Sequence, residues 1–519
     1  MRLRTAATLL LLTMPAAGQN APCDKVRALT QDPTTAAAHW GISVTTIEGT
    51  ALCQINDAQL FRPASNAKLF TIAAALALLS PTRTFTTFTR ADFKPGTVTL
   101  NGDLVLQGGG DAFLSERAMP YRKPGQRAAD QAHVRNPLED IADSIAASGL
   151  QHITGNIVGD DTLFPYEPLP GDWSVDDTIW GYGAPVSALT IDDNQMTLTV
   201  TPGPLAGSTG TVTLAPATPF YTVESTVTTS ATKSQPEIAI ERAPGSRILR
   251  VFGTVPLGAP YRQDVAIGDP AEFAALTLKA LLEARGVMVD GQALSRHRPT
   301  TQSASFERQV NEPLPKLPRA PSGGQFTDVR CADECSRNAH HTSPTLLDDV
   351  TLTLKVSQNL HAELMLHQLG LAYGNDASTA QSCRVVRQFL LNAGIAKDDF
   401  FLNDGSGLSS HDLTTPRAIT QLLTFAAAQP WFDAFKTALP VGGVDGSLSN
   451  RYAASTSPLA GKILAKTGTL GESRALSGYL TAASGRTLIF SILVDTHTPT
   501  TTADRSVMDR IAETIAAQN

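Results

Sequence analysis

Three short motifs carry residue types that together can perform nucleophilic catalysis. In chain order they are Ser65-Asn66-Ala67-Lys68, Ser357-Gln358-Asn359 and Lys466-Thr467-Gly468. At positions i and i+3 of a helix, the hydroxyl of Ser65 and the amine of Lys68 lie on one face, within reach of each other. A serine hydroxyl becomes a strong nucleophile when a base takes its proton, and a lysine is such a base when its pKa is lowered. We therefore predict that Ser65 is the nucleophile and Lys68 its base.

The other two motifs supply groups that can complete such a site. The hydroxyl of Ser357 can relay a proton to a leaving amine, and the amide of Asn359 can orient a substrate peptide bond. Lys466 and Thr467 can hold a substrate carboxylate, while Gly468 lets the substrate backbone approach closely. Lys466 is also a candidate for a cation that, together with partial burial, lowers the pKa of the catalytic lysine. Each motif alone is more often an ordinary helix start, helical turn or strand end, but the ordered set favours an active serine.

The sequence around the motifs predicts the elements that must position them. The 63–79 segment lies between two prolines and is apolar on every face over most of its length, which indicates a buried helix beginning at the first motif. β-like runs at 40–47 and 51–55 predict an N-terminal hairpin. The C-terminal part predicts helices at 346–369, 380–393, 416–428 and 502–517, and strands at 463–467, 475–481 and 487–495.

The middle of the chain has a different texture, with short Thr- and Val-rich strands between about residues 86 and 300. Asn101-Gly102 between two such runs is a strong hairpin signal. Because the first and last parts of the chain both predict strands with helices, one domain interrupted by inserted domains is the simplest organisation. The prediction assigns 22–85 plus 300–519 to the main domain with 306–342 as an extra loop, 86–111 plus 184–299 to an inserted domain, and 112–183 to a second inserted domain nested in the first.

The composition excludes several classes of protein. The chain has 519 residues, a formal charge of −7, 42% hydrophobic residues and 17% charged residues. A nucleic-acid binder needs a concentrated basic surface, and a disordered chain carries more charge. No apolar run approaches the ~20 residues that span a bilayer. We expect a soluble multi-domain protein with no nucleic-acid partner.

Residues 1–18 have the anatomy of a secretory signal peptide. A basic start precedes the apolar run 5–14, and small residues precede a cut after Gly18. Pro22 before Cys23 does not fit lipoprotein processing. We therefore expect a periplasmic or secreted protein without a stable membrane anchor, and cleavage would make its formal charge −9.

An exported chain is permitted disulfides, and the five cysteines lie at 23, 53, 331, 335 and 383. Cys23 and Cys53 flank the first helix and strands, so a bridge between them is compatible with the pattern. Cys331 and Cys335, followed by His340-His341, can be read as a metal cluster. Their spacing matches no standard zinc pattern, and a small disulfide loop or free thiols is the favoured interpretation.

The motif set resembles the penicillin-binding protein and β-lactamase superfamily, and within it the low-molecular-mass class C D-alanyl-D-alanine carboxypeptidase/endopeptidases. The 292 residues from Ser65 to Ser357 fit this family, which fills the gap with two inserted domains. Matching stretches cover nearly the whole mature chain: 102–111, 182–189 with Asn194, 357–363, 404–409, 439–447, 465–470 and 477–479.

The resemblance implies an α/β (α+β) fold, in which a β-lactamase/transpeptidase-like domain, an antiparallel sheet flanked by helices, is interrupted by two inserted β-rich domains. It implies that Ser65 attacks the D-Ala-D-Ala bond of peptidoglycan stem peptides and cross-links and that water hydrolyses the acyl-enzyme. It also implies acylation by β-lactams, an oxyanion bound by the backbone N–H groups of Ser65 and Thr469, and no metal or other cofactor. The resulting site comprises Ser65, Lys68 and Ser357 as catalytic residues and Asn359, Lys466, Thr467, Gly468 and Thr469 as substrate-binding residues.

Two departures from the family and two alternative functions stay open at this point. The 306–342 segment is an extra insertion with no assigned role, and His361 is expected to be an exposed helix residue rather than a base. A β-lactamase or esterase on the same scaffold is one alternative, because residues 399–403 faintly resemble a deacylating E-x-x-L-N loop. A cell-wall binding protein with a retired site is the other, although the intact motifs oppose it.

Overall fold

The computed structural model describes residues 21–91, 96–123, 135–314, 317, 339–498 and 501–519. The predicted signal peptide at 1–18 and the Cys331/Cys335 pair therefore lie outside the described residues. The α-helices are α1 (Ala21–Thr30), α2 (Ala67–Leu78), α3 (Pro137–Ala147), α4 (Pro270–Glu283), α5 (Phe306–Asn311), α6 (Leu346–Val356), α7 (Asn359–Tyr373), α8 (Thr379–Asn392), α9 (Pro416–Ala427), α10 (Phe432–Ala438) and α11 (Ala503–Gln518).

The strands of the first half are β1 (His39–Thr46), β2 (Ala51–Ile55), β3 (Thr86–Arg90), β4 (Thr99–Leu100), β5 (Leu104–Gln107), β6 (His152–Ile153), β7 (Ile157–Pro165), β8 (Gln195–Thr201), β9 (Thr211–Ala215), β10 (Thr222–Ser230) and β11 (Glu237–Glu241). Those of the second half are β12 (Ile248–Pro256), β13 (Tyr261–Ala266), β14 (Met288–Val289), β15 (Ala293–Arg298), β16 (His340–Thr342), β17 (Phe400–Phe401), β18 (Leu413–Thr414), β19 (Ile463–Thr469), β20 (Ser473–Thr481) and β21 (Thr487–Asp495).

An antiparallel five-stranded sheet of order β19-β20-β21-β1-β2 organises the main domain. It joins the N-terminal hairpin to the C-terminal strands, as the sequence patterns predict. Side chains alternate along β21, so that Phe490 and Ile492 pack with α1 and α11 while Ile489 and Leu493 pack with α2 and α9. The sheet is therefore covered by helices on both faces.

Helix α2 lies at the centre of the larger hydrophobic core, and every residue from Ala67 to Leu78 is buried. Its start is fastened to the sheet by a chain of hydrogen bonds. The amide of Asn66 donates to the hydroxyl of Ser477 at 2.8 Å, and Ser477 donates to Ser491 at 2.9 Å. This chain fixes the first turn of α2, which carries Ser65 and Lys68, against β20 and β21.

The cysteines of the described residues form one bridge and leave one free thiol. Cys23 and Cys53 form a disulfide that ties α1 to β2, the pairing that the sequence allowed. Cys383 is buried and unbridged. Within the described ranges, no group of three or more His, Cys, Asp or Glu side chains is arranged to hold a metal ion. None of the helices described here combines the length and apolarity that crossing a membrane requires.

The inserted region is β-rich, and its sheets join strands from both of the predicted inserted domains. Strands β6 and β7 lie within 112–183, yet β6 pairs with β4 and β14, and β7 pairs with β5 and β15. Strand β16, from the segment assigned to the main domain, pairs with β3. The strand hydrogen bonds thus join segments that lie far apart in the sequence, in parallel for β6 and β7 and antiparallel for β16 with β3.

The inserted region contacts α7 through a buried ionic network centred on His361. This histidine is fully buried, so the prediction of an exposed residue is wrong: its helix faces the inserted region rather than solvent. Its Nδ1 lies 2.6 Å from Asp349 Oδ1 and its Nε2 lies 3.2 Å from Asp193 Oδ1. Asp193 also accepts hydrogen bonds from Arg117 and Gln358. Burial opposes protonation, but the two carboxylates outweigh it and raise the pKa of His361 to about 9.

We predict that His361 makes the stability of the fold pH-dependent. Its pKa is about 6.5 when unfolded and about 9 when folded, so its contribution is complete below pH 6.5 and is lost as the pH rises through 9. His361→Asn should lower the free energy of unfolding by about 3–5 kcal/mol at pH 6, because it leaves buried Asp349 without its cation and buried Asp193 with Arg117 alone. The difference from wild type should shrink by pH 9.5, as measured by urea unfolding.

His411→Asn is the matched control, because His411 pairs with Asp172 but its side chain is 65% exposed. It should change the free energy of unfolding by less than about 0.5 kcal/mol. A His361→Asn cost that stays constant from pH 6 to 9.5 would contradict the ionic network.

Candidate active site

The first motif lies in a tight turn at the start of α2. Ser65 is in the 3₁₀ turn Ala64–Asn66, which runs directly into the helix, and its side chain is partly exposed. Ala64 has a φ of +47°, a conformation that costs free energy for a residue with a side chain. A Cβ built on Gly468 would lie 2.8 Å from the Pro63 carbonyl oxygen and 3.1 Å from Ala64 Cβ. The third motif therefore needs glycine so that β19 can pack against this turn.

Lys68 makes hydrogen bonds to three separate parts of the site. Its Nζ donates to Ser65 Oγ at 3.0 Å, to Asn359 Oδ1 at 2.6 Å and to the Ser406 carbonyl oxygen at 2.7 Å. These three acceptors match the three N–H groups of an ammonium. The first and second motifs are thus joined through one lysine side chain.

The environment of Lys68 favours the neutral amine more than water does. The side chain is fully buried, and this burial lowers its pKa from 10.5 to about 8. The charges of Asp404, Glu363 and Asp412 act in the opposite direction and raise it. The balance gives an amine that is partly deprotonated near neutral pH, as a general base requires.

Ser357 is held by Lys466 and not by Lys68. Ser357 ends α6 in a left-handed conformation, with φ of +62°. Its Oγ accepts a 2.8 Å hydrogen bond from Lys466 Nζ, which also donates to the Thr467 carbonyl oxygen at 2.8 Å. A direct bond between Ser357 and Lys68 is not formed among the described residues, because other acceptors already take the N–H groups of Lys68.

Lys466 is fully buried, and burial followed by the positive charge of Lys68 lowers its pKa well below the usual value. The charge of Lys68 therefore opposes the protonation of Lys466. The amine of Lys466 lies behind Ser357 rather than in the open cleft. Thr467 faces outward beside it and shares a 2.7 Å hydrogen bond with Ser447.

Most of the predicted residues line one cleft of about 460 Å³. The cleft is bordered by Ser65, Ser357, Asn359, Thr467, Gly468 and Thr469. The two lysines stand behind this surface. Sequence reasoning assigned no role to the remaining lining residues, which are Asp177, Tyr182, Gly407, Leu408, Leu470 and Gly471.

Tyr182 shows how the inserted region reaches the site. Its carbonyl oxygen accepts a 2.9 Å hydrogen bond from Asn359 Nδ2, and its hydroxyl donates to Asp177 at 2.8 Å. Residues 182–189 are among the stretches that resemble the family. The contact of Tyr182 with Asn359 could not be predicted, however, because it uses a backbone oxygen that every residue type possesses. Ser406, whose carbonyl holds Lys68, was missed for the same reason.

Residues 399–403 do not form a deacylating loop at this site. Asp399 is buried and makes a two-pronged salt bridge with Arg417, with N–O distances of 2.8 and 2.7 Å. Neither residue lines the cleft that contains Ser65. The faint likeness to an E-x-x-L-N loop is therefore accounted for by a structural ion pair.

Comparison with known proteins shows the family of the chain. The D-Ala-D-Ala carboxypeptidase 3 (S13) family model matches residues 23–318 and 328–515. A D-alanyl-D-alanine carboxypeptidase from Actinomadura sp. (strain R39) is 30% identical over 506 residues, which are 95% of this chain and 84% of that protein.

Two solved structures share the fold. Penicillin binding protein 4 (dacB) from Haemophilus influenzae is 21% identical and has a TM-score of 0.74, covering 94% of this chain and 97% of its own. The same protein in complex with a novel β-lactam has 21% identity and a TM-score of 0.70, covering 94% and 98%. The predicted fold class and serine-type carboxypeptidase class are confirmed. The chain belongs to the D-Ala-D-Ala carboxypeptidase 3 (S13) family.

Proposed function

We propose that this carboxypeptidase cleaves the D-Ala-D-Ala bond of peptidoglycan stem peptides through an acyl-enzyme on Ser65, with Lys68 as the base. The observation that carries the proposal is the 3.0 Å hydrogen bond between Lys68 Nζ and Ser65 Oγ at the wall of the cleft. Because the pKa of Lys68 is lowered, a fraction of the amine is neutral and can accept the Ser65 proton across this hydrogen bond.

In the acylation step, Ser65 Oγ attacks the carbonyl carbon of the bond between the two D-alanines while its proton passes to Lys68. The oxyanion is bound by the backbone N–H groups of Ser65 and Thr469, both of which border the cleft. Collapse of the tetrahedral intermediate breaks the C–N bond, and the leaving amine takes a proton and departs as D-alanine. Water then hydrolyses the ester and restores the hydroxyl.

Ser357 is the proposed relay: it gives its hydroxyl proton to the leaving amine and takes in exchange the proton that Lys68 received from Ser65. The 2.8 Å bond from Lys466 orients its hydroxyl, so Lys466 acts on the substrate side of the site through Ser357 and Thr467. Asn359 holds Lys68 when the cleft is empty, and its amide lies where it can meet the substrate peptide bond. The hydroxyl of Thr467 and the strand end at Gly468 and Thr469 receive the substrate carboxylate and backbone.

The same site accounts for the other proposed substrates. A cross-link between stem peptides offers the same D-alanyl carbonyl with a different leaving amine, so endopeptidase activity requires no further catalytic group. A β-lactam offers a strained amide to the same nucleophile, and the fold relative from Haemophilus influenzae has been solved with a β-lactam. We favour these activities over a dedicated β-lactamase, because Asp399 is engaged by Arg417.

Ser65→Ala should abolish covalent modification by benzylpenicillin and reduce D-alanine release by at least about 10⁴-fold, because no other group replaces the attacking oxygen. The measurement is intact-protein mass spectrometry after incubation with penicillin, with D-alanine quantified in parallel. Ser484→Ala, in an exposed turn after β20, is the control and should behave as wild type. A penicillin adduct on the Ser65→Ala protein would overturn the assignment.

The rate constant for acylation should rise with pH and reach half its maximum near pH 8. Below that pH Lys68 holds its proton and cannot accept the one from Ser65. Stopped-flow acylation by a chromogenic β-lactam from pH 6 to 9.5 measures this profile. Lys68→Ala should slow acylation by about 10³-fold or more and flatten the acidic limb. An unchanged limb in Lys68→Ala would mean that another group is the base.

We also propose export, with cleavage after Gly18 and a periplasmic or secreted mature protein. The basic start, the apolar run 5–14 and the small residues before the cut support this proposal. N-terminal sequencing of the protein from the periplasm or medium should begin at or near Gln19. Recovery of an intact Met1 from either fraction would refute it.

A further inference from the structure

A fully buried carboxylate, Glu363, lies behind the catalytic lysine and has no part in the mechanism above. It stands on α7 one turn after Asn359, so the two side chains share a helix face. Both of its oxygens accept the backbone N–H of Gly405, at 3.0 and 3.1 Å. A buried carboxylate costs free energy, so its contacts need a physical explanation.

Glu363 binds the 403–409 loop at Gly405, the residue before Ser406, whose carbonyl oxygen accepts a hydrogen bond from Lys68. The Gly405 N–H donates to Glu363, and the Gly405 carbonyl oxygen accepts a 2.9 Å hydrogen bond from the Thr71 hydroxyl on α2. The next carbonyl, that of Ser406, accepts Lys68 Nζ at 2.7 Å. The Gly405 peptide is therefore fixed from two helices, and this fixes where the lysine finds its acceptor.

Gly405 packs so closely on α7 that there is no room for a side chain at this position. A Cβ built on it would lie 2.9 Å from Leu366 Cβ and 3.0 Å from the Ala362 carbonyl oxygen, so the loop packs directly on α7. Asp404 completes the loop by accepting the backbone N–H groups of Ser406, Gly407 and Ser409 at 2.6–3.0 Å.

The charges around Glu363 couple it to Lys68. Burial, followed by the charge of Asp404, raises the pKa of Glu363 to about 8, while Lys68 acts to lower it. Glu363 in turn raises the pKa of Lys68. The other titratable groups facing this pair are Asp404 and Asp412 from the loop and its continuation, Cys383 from α8 and Lys466 from β19.

We propose that Glu363 is a positioning residue for the base: it fixes Gly405 so that the Ser406 carbonyl anchors Lys68, and in its ionised form it favours the proton on that lysine. The inference rests on the proposed function, in which Lys68 activates Ser65. Glu363 touches neither the nucleophile nor the cleft, so it acts only through the lysine.

Glu363→Gln separates charge from shape, because the amide keeps one acceptor for the Gly405 N–H and removes the negative charge. Because the pKa of Glu363 is about 8, the carboxylate is ionised in only part of the molecules along the acidic limb, and the substitution removes that part of the charge. The acidic limb of the acylation profile should therefore move to lower pH by at most about 0.5 unit, with the plateau rate reduced by less than about 5-fold. Glu363→Ala removes the acceptor as well and should lower the plateau by about 10-fold or more.

Asp399→Asn is the control, because it neutralises another buried carboxylate whose partner is Arg417 and not Lys68. Its acidic limb should coincide with that of wild type. A Glu363→Ala plateau equal to that of wild type, or a Glu363→Gln profile that shifts to higher pH, would overturn the inference. Failure of the proposed function is distinguishable, because it would appear as an unchanged acidic limb in Lys68→Ala. Circular dichroism of each variant identifies any that fails to fold, and Glu363→Gln, being isosteric, then carries the test.

Discussion

An amine that serves as a base beside Ser65 must be removed from water, and this removal is costly unless protein acceptors replace the lost hydration. Lys68 meets this constraint with three acceptors that come from three different parts of the chain: its own turn, the start of α7 and the 403–409 loop. Burial lowers the pKa of the lysine, and nearby carboxylates limit the decrease. Because the acceptors are distant in sequence, the site exists only when the whole main domain is assembled.

The rest of the fold can be understood as support for those acceptors. The Asn66–Ser477–Ser491 chain fixes the turn that carries Ser65 against the central sheet. The inserted region holds the second motif from its other side, through the Tyr182 carbonyl on Asn359 and through Asp193 on Gln358. The β-rich region inserted between the first and second motifs thus contributes to the site, because its residues form hydrogen bonds with the segment that carries Ser357 and Asn359.

Much of this arrangement could be predicted from residue type and spacing, and the failures have a common cause. Ser65, Lys68 and the three motifs were identifiable because side-chain chemistry is visible in sequence, and the buried α2 was identifiable from its uninterrupted apolar run. The pairing of β7 with β5 and β15 could not be predicted, because parallel pairing joins strands that no local signal connects. His361 was misplaced because its burial depends on Asp193, 168 residues earlier. The Ser406 and Tyr182 contacts use backbone oxygens, which every residue possesses.

Because burial lowers the pKa of Lys68 to about 8, about half of this amine is neutral at that pH, and the mechanism is tested most sharply by titrating that one amine. NMR of protein labelled with ¹³C at lysine Cε, with Lys68→Arg used to assign the signal, follows its protonation without reference to turnover. We expect a titration midpoint near pH 8 in the free enzyme. A Lys68 signal that stays protonated to pH 10 or above, as an exposed lysine does, would contradict it.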